Sequence, residues 1–322
     1  MLAVLGTVVD RLALTVTPPF AQLIALRSVI GASSVGLALL LVLLAISRHQ
    51  PGRPRAGPSV LLAAALLITG VVHLGTAATR GVVNAPPTGP APDERSLTIM
   101  TLNAQDGAAS AEDVAGAALS VEADVVALAE TSWPSALSIA ELLGSAGLPM
   151  QAFSSSYGGS HHRATSLLVS SSPGRYTQDS DPDDLGFLRI VSIDGGGPPL
   201  VGVHVIRPGD VSAHVWLSRL TQAVDACRET PGTIVAGDFN ATLDHGPMRR
   251  LARCVDAAAA SERGGAGAYG TWHTAVPALL GAPIDHVLVD GDAWLVSTAG
   301  VTRVGSSDHR ALLVRLDPVA RQ

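Results

Sequence analysis

Two long apolar runs near the start of the chain dominate its hydrophobic pattern. No charged residue lies between Arg27 and Arg48 or between Arg55 and Arg80, and almost all residues in both intervals are apolar. A helix needs about 20 residues to cross the hydrocarbon core of a bilayer. Both runs are long enough, and two such runs in succession, each bracketed by Arg, argue against core helices of a soluble protein. The pattern predicts at least two transmembrane helices within residues 1–80.

The first 26 residues are also mostly apolar, and their pattern leaves two interpretations open. Asp10 and Arg11 interrupt the run, and Pro18 and Pro19 would break a helix. The segment is either a third transmembrane helix, with the two charges paired or near a membrane face, or an interfacial or re-entrant piece. A cleaved signal peptide is not expected, because no positively charged stretch precedes the first apolar run.

A short loop between the two apolar runs predicts their orientation. Residues 47–57 contain Arg48, Arg53 and Arg55, and short loops rich in Arg stay on the cytoplasmic side of a membrane. The second helix would then run outward. We therefore expect a multi-pass protein of the cell membrane whose residues after Arg80 are extracytoplasmic, whether there are two membrane helices or three.

The pattern changes after residue 80. Residues 81–95 are rich in Pro and small residues, which predicts an extended linker. Residues 96–322 alternate strand-like runs with helical stretches, which predicts one strand-rich α/β domain. The predicted strands span residues 97–102, 124–130, 165–170, 187–193, 200–205, 233–236, 284–289, 293–297 and 311–316.

Helix signals and the two cysteines add detail to this domain. Ser110 and Asp113 have the spacing of a helix capping box, and the apolar residues from Leu217 to Cys227 share one helical face. Cys227 and Cys254 are the chain's two cysteines, and they lack the CxxC spacing of a zinc site. They are either two separate buried thiols or, in an extracytoplasmic domain, one disulfide bond.

Charge is divided unevenly between the two parts of the chain. Residues 1–80 carry six Arg and one acidic residue, a net charge of +5, whereas the rest carries 15 Arg and 26 acidic residues, a net charge of −11. A basic apolar head and an acidic body indicate a membrane segment joined to a water-exposed domain. Because non-specific nucleic-acid binding needs basic surface that neutralises phosphates, the acidic domain disfavours a nucleic-acid partner.

Many predicted strands are followed or preceded by polar residues. Such positions can meet at one edge of a sheet, where loops carry function. Each residue alone would be an ordinary turn or capping residue, but the whole set indicates a site. The set is Asn103, Glu130, His204, Asp238, Asn240, Asp285, His286, Asp308 and His309.

These motifs resemble the endonuclease/exonuclease/phosphatase superfamily. The resemblance covers residues 96–318. It implies an α/β fold in which a two-sheet β-sandwich is flanked by helices, a four-layer α/β/β/α arrangement, preceded here by N-terminal transmembrane helices. The matching motifs, in family order, are Leu102-Asn103, Glu130, GDFNA at 237–241, IDH at 284–286 and SDHR at 307–310.

The resemblance also implies a metal site. Asn103, Glu130 and Asp308 would surround a divalent cation. Carboxylate and amide oxygens suit Mg²⁺, with Mn²⁺ as the second option, better than zinc. Phosphoryl transfer depends mostly on positioning and on neutralising charge, which such a cation supplies.

Five further residues receive catalytic roles from the resemblance. Asp238 would orient or activate the attacking water, and Asn240 beside it would stabilise the pentacovalent phosphorus. His309 would face the phosphate, held in orientation by Asp285. His204 would bind another phosphate oxygen. A further cluster, His161, His162 and Arg163, is either a solvated loop or a second phosphate contact.

Together these observations predict a Mg²⁺- or Mn²⁺-dependent phosphoric ester or pyrophosphate hydrolase. The expected substrate is a membrane-borne lipid or polyprenyl phosphate, or a small phosphate ester, at the outer face of the cytoplasmic membrane. The architecture resembles the teicoplanin-resistance-type proteins of actinomycetes, which implies an envelope lipid substrate and a link to antibiotic resistance. The sequence makes no prediction of the oligomeric state.

Two alternative functions stay open at this stage. An extracytoplasmic nuclease would need a basic groove, which the acidic domain disfavours. A non-catalytic envelope-binding module would be expected to have lost one of the residues Glu130, Asp238, Asp308 or His309, and all four are present.

Overall fold

The computed structural model of the protein describes residues 14–47, 57–89, 93, 95–157, 163–180 and 184–320. The loop with Arg48, Arg53 and Arg55, on which the predicted orientation depends, lies outside the described residues. Asp10 and Arg11 of the first apolar run lie outside them as well.

The described helices are α1 (Phe20–Ala25), α2 (Arg27–Ser47), α3 (Gly57–Ala78), α4 (Ala111–Ser120), α5 (Trp133–Ser145), α6 (Ala213–Glu229) and α7 (Ala257–Ala260). The described strands are β1 (Leu97–Asn103), β2 (Val125–Ala129), β3 (Met150–Ser154), β4 (Thr165–Ser170), β5 (Tyr176–Gln178), β6 (Phe187–Ser192), β7 (Leu200–His204), β8 (Ile234–Asp238), β9 (Cys254–Asp256), β10 (Asp285–Asp290), β11 (Trp294–Arg303) and β12 (Arg310–Pro318).

Helices α2 and α3 pack side by side as a hairpin. Both are long and apolar enough to cross a membrane, with mean hydropathies of 2.6 and 2.1, and only 11% of each apolar window is buried. The two helices approach each other closely at Gly70, where a Cβ atom would lie 2.5 Å from Val35 Cγ2 and 2.9 Å from the Gly31 carbonyl oxygen. Small residues permit such close packing of membrane helices. In length and composition the hairpin agrees with the two predicted helices.

The described part of the first apolar run, residues 14–26, lies against the catalytic domain. It forms a short 3₁₀ turn at Leu14–Val16 and the six-residue helix α1, far short of the length that crosses a bilayer. Ala21 of α1 is fully buried and belongs to a core cluster built around Trp216. Whether residues 1–26 form a third transmembrane helix or an interfacial piece stays a prediction.

Two six-stranded sheets form the centre of the catalytic domain. The strand order is β11-β12-β1-β2-β4-β3 in the first sheet and β5-β6-β7-β8-β10-β9 in the second. All neighbours are antiparallel except β1 with β2 and β7 with β8, which are parallel. Each of these two parallel pairs occupies the middle of its sheet.

Three apolar clusters define four layers. The first lies between the two sheets and includes Ile99 and Val287. The second joins the first sheet to α4 and α5, and the third joins the second sheet to α6. Because both sheets bury both faces, their central strands are apolar almost throughout. The predicted four-layer α/β/β/α sandwich is confirmed.

Residues directly after α3 are tied to the domain by hydrogen bonds. The Val83 amide donates to the Gly265 carbonyl at 2.9 Å, and the Ala85 amide donates to the Ala299 carbonyl at 3.1 Å. The Asn84 side chain accepts from the Val301 amide at 2.7 Å and donates to the Val301 carbonyl at 3.1 Å. Ala299 and Val301 belong to β11, an edge strand whose unpaired backbone groups are thereby covered. This part of the predicted linker is extended and also bound.

Cys227 of α6 and Cys254 of β9 are joined by a disulfide bond, so the structure selects the second of the two options that the sequence left open. The bond links the helical layer to the edge of the second sheet.

Candidate active site

The two parallel strand pairs place four predicted site residues at one end of the sandwich. Parallel neighbours end at the same edge of a sheet. Asn103 ends β1 and Glu130 follows the neighbouring strand β2, while His204 ends β7 exactly opposite the last residue of β8, Asp238. The packing of one sheet on the other then brings both edges together.

A close approach of β7 and β8 explains the glycine before Asp238. A Cβ atom at Gly237 would lie 1.9 Å from the Val203 carbonyl oxygen, so no side chain fits there. The GD pair of the GDFNA motif therefore has a backbone reason as well as a chemical one.

Asp285 and His309 form a buried hydrogen-bonded pair at the same edge. Asp285 opens β10, where it pairs in register with Asp238 of β8. His309 directly precedes β12, and its Nδ1 atom lies 2.7 Å from Asp285 Oδ2. Its Nε2 atom points toward the cleft, 3.9 Å from Asp238 Oδ2 and 4.0 Å from Asp308 Oδ1. The predicted orientation of His309 by Asp285 has the contact it requires.

Asn103 connects carboxylates from the two sheets. Its Nδ2 atom donates to Glu130 Oε1 at 3.0 Å and to Asp238 Oδ2 at 3.1 Å. Its Oδ1 atom accepts the Gln105 amide at 2.9 Å. In this arrangement the amide nitrogen, and not the oxygen, faces Glu130, so Asn103 holds the carboxylates in place. Its role as a metal ligand stays a prediction.

Two site residues have backbone conformations that are uncommon outside glycine. The φ angles of Glu130 and Asn240 are 51° and 45°. Such conformations persist where surrounding contacts impose them, and they concentrate at functional sites. Asn240 is held by its amide, which donates to Asp238 Oδ1 at 2.8 Å, and by its side chain, which donates to the Val205 carbonyl at 2.9 Å.

Burial and neighbouring carboxylates shift the pKa values of two groups at the centre of the site. Burial, followed by the neighbouring Asp285 carboxylate, raises the pKa of Asp238. Burial lowers the pKa of His309, but the carboxylates of Asp285 and then Asp238 outweigh it and raise the pKa to about 10. The imidazole is therefore protonated at neutral pH, which suits a group that faces phosphate oxygens.

Two groups of residues could hold a cation. One potential ligand atom from each of Asp238, Asp285 and His309 lies within 4.8 Å of the others. In that group His309 Nδ1 is already bonded to Asp285 Oδ2, which leaves His309 Nε2 and the unpaired Asp285 Oδ1 as the atoms available to a cation. The carboxylates of Glu130 and Asp308 both line the cleft and provide the oxygen ligands that Mg²⁺ prefers.

Trp272 and Gln105 also belong to the site, although no sequence signal singled them out as such. Trp272 Nε1 donates to Asp308 Oδ2 at 3.0 Å, and Gln105 Oε1 accepts the Asp308 amide at 2.9 Å. Together they hold Asp308. Trp272 lies in an irregular stretch between β9 and β10, so only the folded chain shows that it meets Asp308.

His286 was grouped with the site residues on sequence, but it faces away from the cleft. Its Nδ1 atom lies 2.6 Å from Asp256 Oδ2, and its Nε2 atom lies 2.8 Å from the Ala241 carbonyl oxygen. Burial lowers the pKa of His286, and Asp256 outweighs this and raises it. Alternation along β10 explains the difference, because adjacent strand residues point to opposite faces.

A cleft of about 860 Å³ opens over these groups. It is lined by the predicted residues Asn103, Glu130, His204, Asp238, Asn240, Asp308 and His309. Arg163 also lines the cleft, whereas its predicted neighbours His161 and His162 lie outside the described residues. One wall comes from the membrane-proximal segment, where α1 and the residue after it contribute Ala21, Gln22, Ala25 and Leu26.

The sequence profile described as the Endonuclease/Exonuclease/phosphatase family matches residues 100–309, more than half of the chain. The chain belongs to the endonuclease/exonuclease/phosphatase family. Members of this family are phosphoesterase hydrolases and usually depend on a metal. The first 99 residues, with the apolar hairpin, lie outside the matched region. No curated protein matches the chain by sequence.

Solved structures of this family share the fold. TDP2 of D. rerio, complexed with a single-strand DNA product, is 16% identical with a TM-score of 0.53, covering 69% of this chain and 99% of its own. The endonuclease/exonuclease/phosphatase of Beutenbergia cavernae DSM 12333 is 17% identical with a TM-score of 0.52, covering 70% and 72%. The 3′ phosphatase NExo of Neisseria, bound to a product DNA hairpin, is 15% identical with a TM-score of 0.50, covering 69% and 99%.

Proposed function

We propose that this protein hydrolyses a phosphate ester or pyrophosphate carried by a membrane lipid, with Mg²⁺ or Mn²⁺, at the outer face of the cytoplasmic membrane. The observation that carries the proposal is the wall of the cleft. Ala21, Gln22, Ala25 and Leu26 face the same space as Asp238 and His309, and Arg27 directly after them begins the apolar helix α2. A substrate held in the bilayer is thereby close to the catalytic groups.

The surface of α1 supports the same substrate class. Phe20 and Leu23 of this short helix are 47% and 48% exposed. On a helix that precedes a membrane span, exposed apolar side chains are positioned to contact lipid. Among membrane-borne phosphates we propose a polyprenyl pyrophosphate, the substrate class that the sequence resemblance to teicoplanin-resistance-type proteins implies.

The proposed mechanism uses the residues that line the cleft. The cation, held by Glu130 and Asp308 and predicted to contact Asn103, would neutralise charge on the phosphate. Asp238 would orient the attacking water or accept its proton. Asn240 and the protonated His309 would donate hydrogen bonds to phosphate oxygens.

His204 is placed for a further phosphate contact. Its Nε2 atom lies 3.7 Å from Glu130 Oε1 at the rim of the cleft. In the mechanism that we propose, His204 binds a phosphate oxygen while Asp285, behind the site, keeps His309 in orientation.

Two observations support an extracytoplasmic domain. The disulfide between Cys227 and Cys254 is a type of bond that persists in oxidising compartments. Arg48, Arg53 and Arg55 predict that the segment between α2 and α3 is cytoplasmic, and the domain would then lie on the opposite side of the membrane.

A nuclease is the second candidate, because two solved structures of this fold contain DNA products. Arg163 and Arg207 line the cleft and could contact a phosphate backbone. Arg207, however, is paired with Asp210 at 2.7 Å, and the domain carries an excess of acidic residues. The charge of the domain therefore favours a small or lipid-borne phosphate over a long polyanion.

Hydrolysis by the full-length protein in lipid nanodiscs tests the proposal, measured as inorganic phosphate from pyrophosphates and nucleotides and as cleaved product from phospholipids and DNA. The substrates are a polyprenyl pyrophosphate, phospholipids, nucleotides and single-stranded DNA, each with Mg²⁺ and with a chelator. Asp238→Asn serves as the inactive control. We expect the lipid phosphates to be hydrolysed fastest, and only with the metal. Faster cleavage of DNA than of every lipid phosphate would establish the nuclease instead.

A further inference from the structure

The Asp244 carboxylate of the domain bonds both to the residue that begins the apolar hairpin and to a residue just after its end. Asp244 accepts hydrogen bonds from Arg27 Nε at 2.9 Å and from Arg27 Nη2. It also accepts from Arg80 Nη1 at 2.9 Å and from Arg80 Nη2 at 2.7 Å. Arg27 begins α2 and Arg80 follows α3, so the two arginines mark the domain-proximal end of the hairpin. We call Asp244, Arg27 and Arg80 the Asp244 bracket.

The bracket is mostly shielded from water. The Asp244 side chain is 9% exposed, and both arginine side chains are 14% exposed. Charge-assisted bonds with two donors per guanidinium are stronger and more specific in geometry than ordinary surface ion pairs. The bracket therefore restrains the position of the hairpin relative to the domain.

Helix α1 is held by two further contacts beside the bracket. His245 Nδ1 accepts the Thr242 amide at 2.7 Å, which leaves Nε2 as the donor to the Ala21 carbonyl oxygen at 2.9 Å. On the other side of the cleft, Gln22 Nε2 donates to the Pro208 carbonyl oxygen at 3.1 Å. Helix α1 is thus bonded to two loops of the domain and forms the wall of the cleft between them.

The catalytic groups are held independently of this bracket. Asp238 is the last residue of β8, paired in register with Asp285 of β10, and bonded to Asn103. Asp244 lies six residues further along the chain, and no bond of the bracket reaches Asp238. Loosening the bracket should therefore move the wall of the cleft and leave the catalytic residues in place.

We infer that Asp244 is a positioning residue that determines substrate specificity: through Arg27 and Arg80 it holds α1 as the wall against which the apolar portion of a phosphate ester binds. The inference rests on the hydrolase activity of the proposed function, and it does not depend on which lipid is the natural substrate.

Two phosphodiesters that differ only in chain length test the kinetic part. Methyl and hexadecyl p-nitrophenyl phosphate react identically: a water oxygen bonds to phosphorus, the bond to the aryl oxygen breaks, and p-nitrophenolate leaves. We expect Asp244→Asn in the full-length protein to raise KM for the hexadecyl ester roughly tenfold or more. The kcat values and the KM for the methyl ester should change less than about twofold. Asp244→Glu should restore most of the affinity, and Asp225→Asn, at a partly buried pair with Arg228 on α6, is the matched control.

Amide hydrogen exchange tests the position of α1 without any turnover. In Asp244→Asn the peptide covering residues 14–26 should exchange faster, while β8 keeps its protection. Loss of protection in β8 would show general unfolding, and Arg80→Gln then replaces the first variant. Unchanged exchange in residues 14–26, or an equal rise in KM for both esters, would overturn the inference.

Failure of the proposed function would look different. If the wild-type protein hydrolyses neither ester, the dissociation constant of hexadecyl phosphate replaces KM in the comparison. We then expect weaker binding in Asp244→Asn than in the wild type. Equal binding of hexadecyl phosphate by both proteins would contradict the inference whether or not the protein is a hydrolase.

Discussion

The Nδ1 atom of His309 lies 2.7 Å from Asp285 Oδ2, and both side chains are buried. This contact predicts that the two residues act as one unit. His309→Ala should remove most of the contribution of the pair, so adding Asp285→Asn should cost little more, because coupled residues behave non-additively. A double-mutant cycle on the rate of phosphate release measures the coupling, with thermal melts to confirm folding. Fully additive losses would show that the two residues work separately.

Asp238 should contribute directly to the chemical step. Asp238→Asn keeps the shape of the side chain but removes its capacity to accept a proton, and we expect kcat to fall by roughly 10² to 10⁴-fold. Asp290→Asn is the control, since Asp290 is a buried carboxylate at the far end of β10. Comparable losses of kcat in the two variants would indicate damage to the sheet and not to catalysis.

Metal dependence should rest on Glu130. A chelator should abolish turnover, and Mg²⁺ or Mn²⁺ should restore it. Glu130→Gln removes one negative charge from the proposed metal ligands and so weakens metal binding. Half-maximal activity should then require roughly tenfold more Mg²⁺. The measurement is activity against Mg²⁺ concentration, and Glu112→Gln on the exposed face of α4 is the control. Full activity of Glu130→Gln at low Mg²⁺ would refute this assignment.

The raised pKa of His309 predicts how the stability of the metal-free protein depends on pH. Burial lowers this pKa, but Asp285 and Asp238 raise it from 6.5 to about 10. A raised folded-state pKa stabilises fully below the unfolded value and loses this effect as pH rises through the folded value.

We therefore expect the free energy of unfolding of the chelated protein to decrease from about pH 7 to about pH 10. His309→Gln should remove most of that decrease. Urea unfolding at several pH values, with the disulfide kept oxidised, provides the comparison. An identical pH dependence in the variant would mean that other groups are responsible.

The orientation of the domain is open to a direct measurement. A reporter enzyme that is active only outside the cytoplasm, fused after Gln322, should be active. Replacing Arg48, Arg53 and Arg55 together by Gln should reduce that activity, because the loop would lose the charge that keeps it cytoplasmic. Activity of only a cytoplasmic reporter would reverse the proposed orientation and favour the nuclease.

Much of the fold could be predicted because its central strands are buried on both faces. The runs that become β2 and β8 are continuously apolar, the run of β1 is interrupted only by Thr98 and Thr101, and all three end on or next to polar site residues, so their pattern is clear. The short strands β3, β5 and β9 were missed. They are three to five residues long and form the edges of their sheets, and most residues of β3 and β5 are only partly buried. Helix α5 was also not assigned, because its signals, Ser132 as N-cap and Pro134 in the first turn, are local and common.

The site was predictable for a different reason. Its residues lie within short motifs at strand ends, so local sequence identifies them. The contact of Trp272 with Asp308 joins residues 36 positions apart, and the bond of Arg27 with Asp244 joins residues 217 positions apart. Nothing local distinguishes such residues, because their partners are determined by the tertiary arrangement. The contribution of α1 to the cleft could not be predicted for the same reason, because it depends on contacts between residues that are distant in sequence.

Residues 83–85 are hydrogen-bonded to Gly265, Ala299 and Val301, so no flexible linker separates the domain from the end of α3. If the hairpin spans a bilayer, the cleft is held at a fixed distance from the membrane surface and cannot move away from it into the solvent. The protein then meets its substrate by lateral diffusion in two dimensions. Its turnover would follow the mole fraction of substrate in the membrane, so dilution with inert lipid would slow the reaction even at constant total substrate concentration.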